Sequence, residues 1–215
     1  MTDIQAVPLI GTLLLLSLIP FLAIMTTSFI KLAVVFSLLR NALGIQQIPP
    51  NMALYGLAIV LSIYIMAPVG YQISDTIKEK GISLNEDTSL TELANTAINP
   101  MSDFLNKHSS EKERSFFLDS AQELWPEEYA GRLDSNSLLV LVPSFTISEL
   151  KSAFETGFLL YLPFIAIDLI VSNILLAMGM MMVSPMTISL PFKLLLFVLL
   201  DGWTRLTHGL VLSYL

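Results

Sequence analysis

Gly157-Phe-Leu-Leu-Tyr-Leu-Pro-Phe-Ile-Ala-Ile-Asp168-Leu-Ile-Val-Ser-Asn-Ile-Leu-Leu-Ala-Met178-Gly-Met-Met-Met182 is an apolar run with one ionisable side chain, Asp168. A bilayer core takes about 20 such residues of helix, so this stretch alone predicts a membrane-spanning helix. Working outward, three more regions qualify. One runs from about Ile4 to Leu39, interrupted by Pro20 and by Thr26-Thr27-Ser28, which predicts a kink or a helix continuing past the membrane plane. Another runs from Met52 to Ile73 with no ionisable side chain. The last, from about Thr187 onward, contains Lys193, Asp201, Arg205 and His208. That one is a poor lipid-facing span and suits a helix buried among partners.

Composition agrees with this reading. Hydrophobic residues make up 54% of the 215, and charged residues 13%, where a soluble domain carries about a quarter. The acidic balance is local: residues 75–155 hold fifteen acidic and seven basic side chains, and the rest of the chain is close to neutral. No basic patch for nucleic acid exists. Cysteine is absent, which excludes a disulfide framework and thiolate metal sites. Met1-Thr2-Asp3 supplies no positive region ahead of the first apolar run, so no cleaved leader is expected.

The expected fold is therefore an all-α integral membrane protein. Four hydrophobic helical regions form two hairpins, 1–74 and 146–215, with a small polar helical domain, 75–145, between the second and third. Three capping boxes punctuate that domain. Ser89-Leu-Thr-Glu92 opens a helix that Asn99-Pro100 closes; Ser110-Glu-Lys-Glu113 opens a second; Thr146-Ile-Ser-Glu149 leads into the third apolar region. The second helix places Phe117, Ala121, Leu124 and Trp125 on one face before Pro126 stops it. Arg40, flanked by Lys31, puts the first connector in the cytoplasm by the positive-inside rule. The polar domain is then extracytoplasmic.

Ionisable groups inside apolar helices are functional candidates, each needing a partner. Asp168 and Lys193 lie nearly equidistant from Met181, so on antiparallel helices they sit at one depth and can pair, within the chain or across copies. Asp201 and Arg205 are spaced i,i+4 for one helix face. Structural ion pairs are the plain reading. A proton or ion pathway, as in a secondary transporter, is the alternative. An intramembrane aspartyl protease needs two facing carboxylates sharing a proton; here each acid has a base in reach, which keeps both ionised. His108 and His208 show no metal-ligand spacing. No nucleophile–base arrangement or phosphate loop appears, and no cofactor is implied.

Between Asp168 and Lys193, five of the ten methionines (Met178, Met180, Met181, Met182 and Met186) fall within a short turn broken by Gly179 and Pro185. Methionine is unbranched and polarizable and adapts to many shapes, whereas plain membrane hydrophobicity favours leucine. A ring of such turns in an oligomer makes a deformable apolar seal.

Several of these stretches resemble the FliP/SctR family of type III export-gate proteins. They are Ser37-Leu-Leu-Arg-Asn-Ala-Leu-Gly44 with Gln46-Gln-Ile-Pro-Pro-Asn51; Ile147-Ser-Glu-Leu-Lys-Ser-Ala-Phe154 through to Asp168; and Met178-Gly-Met-Met-Met-Val-Ser-Pro185 with Ile188-Ser-Leu-Pro-Phe-Lys193 and Asp201-Gly-Trp203. They stand in the family's order and cover nearly the whole chain. The resemblance implies a non-enzymatic, pore-forming subunit, about five copies of which assemble with SctS/FliQ-type, SctT/FliR-type and SctU/FlhB-type subunits. That gate passes unfolded substrates across the bacterial inner membrane. It further implies that Met180, Met181 and Met182 form a gasket in the pore and that Asp168 and Lys193 matter to function. It also implies helices lying largely above the bilayer plane, and the absent leader character resembles the virulence injectisome branch.

Overall fold

The computed structural model describes residues 6–45, 47–79 and 90–215. Among them every regular element is helical. The first apolar region is two helices, α1 (Ala6–Met25) and α2 (Phe29–Leu43), meeting at 67°. The break falls at Thr26–Ser28, where short hydroxyl side chains compete for backbone hydrogen bonds. Thr26 Oγ1 takes the Leu22 carbonyl at 2.9 Å. Pro20 is accommodated inside α1. α2 ends at Gly44, whose φ of +75° is the left-handed closing position that glycine takes without strain. α3 (Asn51–Glu79) follows.

α4 (Leu90–His108), α5 (Glu111–Leu124) and the short α6 (Glu127–Ala130) form the polar segment. The helix break expected at Asn99-Pro100 does not occur: α4 continues through Pro100, which is buried. The first capping box begins at Ser89, outside the described residues. α5 starts where the second box put it, but Ser110 makes no side-chain cap. Its N–H instead donates to Ser148 Oγ at 2.8 Å, so a tertiary bond replaces the local one. On α5 only Ala121 is buried; Leu124 and Trp125 stay exposed.

α7 (Leu138–Ala177) corrects the third box, because Thr146–Glu149 lies inside this helix. Thr146 and Ser148 donate back to the Val142 and Ser144 carbonyls, as hydroxyls do mid-helix. α7 also runs without a break across the 145/146 position. Its first turns (Leu141, Phe145) pack with Leu105 of α4 in a small core. The turns beyond join the main core around Leu32, Val35, Phe36 and Leu39 of α2. α2 and α7 run in the same direction. Thr146 reaches the Met25 carbonyl at one end, and Gly157 admits Leu38 so closely that a Cβ there would lie 2.3 Å from Leu38 Cδ1.

The last region is again a broken pair, α8 (Pro185–Leu199) and α9 (Gly202–Leu212), at 60°. The polar helices thus sit at the start of α7 and the methionine turn at its other end. α3 and α7 are each long and apolar enough to cross a membrane, and each bent pair passes the same test taken as one span.

Candidate functional site

The turn between α7 and α8 is built by its glycine and proline. α7 closes with paired bonds, Gly179 N–H to the Leu176 carbonyl at 3.0 Å and Met180 N–H to Leu175 at 2.9 Å, with Gly179 at φ +73°. Ser184 then precedes Pro185 in the first helical position of α8. The connecting methionines project outward: Met181 is 81% exposed and Met182 fully so, with Met178, Met180 and Met186 also exposed. An apolar cluster this open on its own chain calls for a covering surface.

Directly behind the turn, Lys193 Nζ stands 2.6 Å from Asp168 Oδ2. The side chains differ in burial, 3% exposed for Lys193 and 37% for Asp168. Lys193 also donates to the Ala42 carbonyl at 3.2 Å. That carbonyl belongs to the last turn of α2, whose unpaired carbonyls and negative dipole end favour a cation. The second oxygen of Asp168 accepts from Ser189 Oγ at 2.5 Å. Ser189 lies one helical turn before Lys193, so one face of α8 grips both oxygens of one carboxylate. Ser189 was not among the sequence candidates; its i,i+4 spacing from Lys193 was the available signal.

Asp201 and Arg205 stand one helical turn apart, the Arg205 N–H donating to the Asp201 carbonyl at 3.1 Å. Asp201 ends the α8 segment in the left-handed region (φ 51°) at the N-cap position of α9, where it makes no side-chain bond to the helix backbone and its Oδ1 accepts from Thr204 Oγ1 at 2.9 Å. Among the described residues the two form no ion pair. Aspartate tolerates this conformation better than most side chains. Gly202 follows because the Phe197 ring occupies the place of any Cβ, 2.2 Å away.

A second polar cluster, which sequence spacing did not reveal, lies at the other end of α2. The Tyr214 hydroxyl donates to the buried Glu149 carboxylate of α7. Lys31 of α2 lies 4.7 Å from the centre of the Tyr214 ring and donates to Ser213 Oγ at 2.9 Å. Phe104 and His108 of α4 pack on the same ring. Burial and the neighbouring Glu149 carboxylate push the Tyr214 phenol up, which keeps it a donor. Burial, with Lys107 and Lys31 nearby, lowers His108 to about 4. No group of three or more metal-ligating side chains occurs among the described residues.

The arrangement holds a carboxylate–ammonium pair and an adaptable apolar turn. Asp168 engages a base and a hydroxyl. Comparison with known proteins gives a consistent picture. The model of the FliP family matches residues 12–210. The chain is 64% identical over 206 residues to the Yop proteins translocation protein R of Yersinia pestis, covering 96% of this chain and 95% of that one. It is 53% identical over 206 residues to virulence protein YscR of Salmonella typhimurium, with the same coverage. It is 46% identical over 219 residues to the hypersensitivity response secretion protein HrcR of Ralstonia nicotianae, covering all of both chains.

Proposed function

The chain belongs to the FliP family, and we propose that it is a pore-forming subunit of a type III secretion export gate in a bacterial inner membrane. The observation that carries the reading is the methionine turn, closed at both ends by helix stops yet exposed at Met180, Met181 and Met182. Around a ring of about five copies these side chains form an apolar constriction that yields to an unfolded passenger and seals behind it. SctS/FliQ-type, SctT/FliR-type and SctU/FlhB-type subunits cover the remaining apolar faces. Exposed side chains such as Ile59, Ile63 and Tyr64 on α3, or Phe158, Leu162 and Leu169 on α7, give those partners and lipid their contact surface. Arg40 lies on the cytoplasmic side and α4–α6 on the periplasmic side.

The chain needs no catalytic group for this role. Asp168 and Lys193 act as a structural pair, and the transporter alternative draws no support from the geometry. Lys193 passes its hydrogen bond to a backbone carbonyl, which accepts a proton's bond but relays nothing onward. Deleting Met180–Met182 in the assembled complex raises ion and small-solute leakage, read as conductance in bilayers, whereas leucine replacements keep the seal. An unchanged leak in a complex shown to be assembled would falsify the gasket assignment.

A further inference from the structure

Three segments far apart in the chain converge behind the methionine turn. The first is the end of α2, where Gly44 has no side chain and a Cβ placed on it would lie 3.8 Å from Met186 Cγ and 3.9 Å from Lys193 Nζ. The second is Asp168 on α7. The third is the Ser189/Lys193 face of α8. Ser189 is completely buried. Its hydroxyl has one proton and two acceptors in range, the Asp168 carboxylate at 2.5 Å and its own helix's Met186 carbonyl at 3.2 Å. The shorter, charge-assisted bond takes it.

We propose that Ser189 is a positioning residue for the methionine turn: it fixes the Asp168 carboxylate, which orients Lys193 onto the carbonyl end of α2 and so ties the turn to that helix. The inference rests on the turn being the working element described above. A single Asp–Lys contact leaves a carboxylate free to rotate about its last torsion. Gripping both oxygens from one helix face removes that freedom. Lys193, held in turn by Asp168, reaches Ala42 with a defined direction. Met186, at the α8 end of the turn, lies beside Gly44, its Cγ 3.8 Å from where a Cβ on that glycine would stand, so the α8 end of the turn is placed next to the end of α2. The Asn41–Gly44 and Ile188–Lys193 stretches, remote in sequence, are thereby two halves of one anchor.

The chain has no cysteine, so spin labels at Met182→Cys and Tyr64→Cys, both exposed sites, report the position of the turn against α3 in the full chain. With Ser189 present, electron–electron resonance is expected to give one narrow distance distribution. Ser189→Ala is expected to widen it at least twofold, and Ser189→Thr, which keeps the hydroxyl, to restore it. Gly44→Ala strains the left-handed end of α2 and is expected to widen the distribution independently of whether threonine fits. A distribution as narrow in Ser189→Ala as in the parent overturns the proposal, as does no change in Gly44→Ala. Conductance of assembled complexes separates this from the seal reading. A widened distribution with no added leak keeps the anchor and removes the seal; an added leak with a narrow distribution does the reverse.

Discussion

The two ends of α2 solve the same problem in opposite ways. Each end holds a buried lysine, an acid from α7 and a residue from the last part of the chain. At the carbonyl end, Lys193 pairs directly with Asp168 and sits where the helix dipole welcomes a cation. At the amino end, Lys31 lies in the first turn of α2, where the dipole opposes it. There the nearby acid, Glu149, is reached through Tyr214, whose ring faces the ammonium and whose hydroxyl binds the carboxylate. The first end is a direct clamp behind the methionine turn. The second is an aromatic-mediated joint that also gathers His108 and Phe104 of α4. Charge pairing thus joins α8 to α7 and to the end of α2, while aromatic packing joins α4 to the same scaffold.

The largest effect is expected at the clamp. Lys193→Met strands the Asp168 carboxylate and the Ala42 carbonyl, and breaking a buried pair costs roughly 3–5 kcal/mol. The partial exposure of Asp168 puts the loss near the lower figure. The double variant Asp168→Asn with Lys193→Met should unfold at a higher temperature than Lys193→Met alone, because no charge is left unpaired. The charge swap, Asp168→Lys with Lys193→Asp, should recover less than the neutral double variant, since a carboxylate then faces the carbonyl end of α2. Full recovery by the swap would show that capping of α2 contributes nothing and would erase the contrast between the ends.

At the amino end the effect is smaller. Tyr214→Phe keeps the ring against Lys31, Phe104 and His108 but removes the hydrogen bond to Glu149. Hydrogen bonds to charged groups contribute about 1.5–3 kcal/mol. Adding Glu149→Gln should return part of that stability by removing the unsatisfied charge. Thermal unfolding followed by helicity measures both, and a Tyr214→Phe midpoint equal to the parent's would reduce this joint to packing alone.

The smallest effect is a pH dependence. Burial holds His108 at about 4 against its ordinary 6.5, so the unfolded chain takes up this proton first as pH falls. Its stabilising contribution is complete above about 6.5 and lost as pH drops toward 4. His108→Phe should therefore flatten stability across that window while leaving the Tyr214 stacking in place. An unchanged slope would place the acid sensitivity of this end elsewhere.

How much of this could be read in advance depends on the reach of local rules. The Asp168–Lys193 pair was legible because two antiparallel helices joined by a short turn place equidistant residues side by side. The Lys31–Glu149–Tyr214 joint was not: its members are separated by more than a hundred and by sixty-five positions, and no periodicity links them. The third capping box misled because Ser and Thr hydroxyls serve equally well in mid-helix, bonded to the preceding turn. Asp201 and Arg205 keep their one-turn spacing, but Asp201 sits in the left-handed region at the start of α9 and its carboxylate accepts from Thr204 instead of pairing with Arg205.

By itself the sequence determined the helical class, the apolar regions, the break at Thr26–Ser28, the methionine turn and the shared depth of Asp168 and Lys193 across it; that the two pair within one chain came from the structure. Each follows from hydropathy, glycine, proline or spacing within a few turns. Tertiary structure alone decided that α7 is one helix serving two cores, that α8 and α9 part at Asp201, and that the end of α2 closes the anchor behind the turn. Those outcomes depend on which faces meet: Gly157 on Leu38, Phe197 over Gly202, Lys193 at the Ala42 carbonyl. A contact between distant segments is favourable only once the whole fold has brought them together, so no local pattern in the chain encodes it.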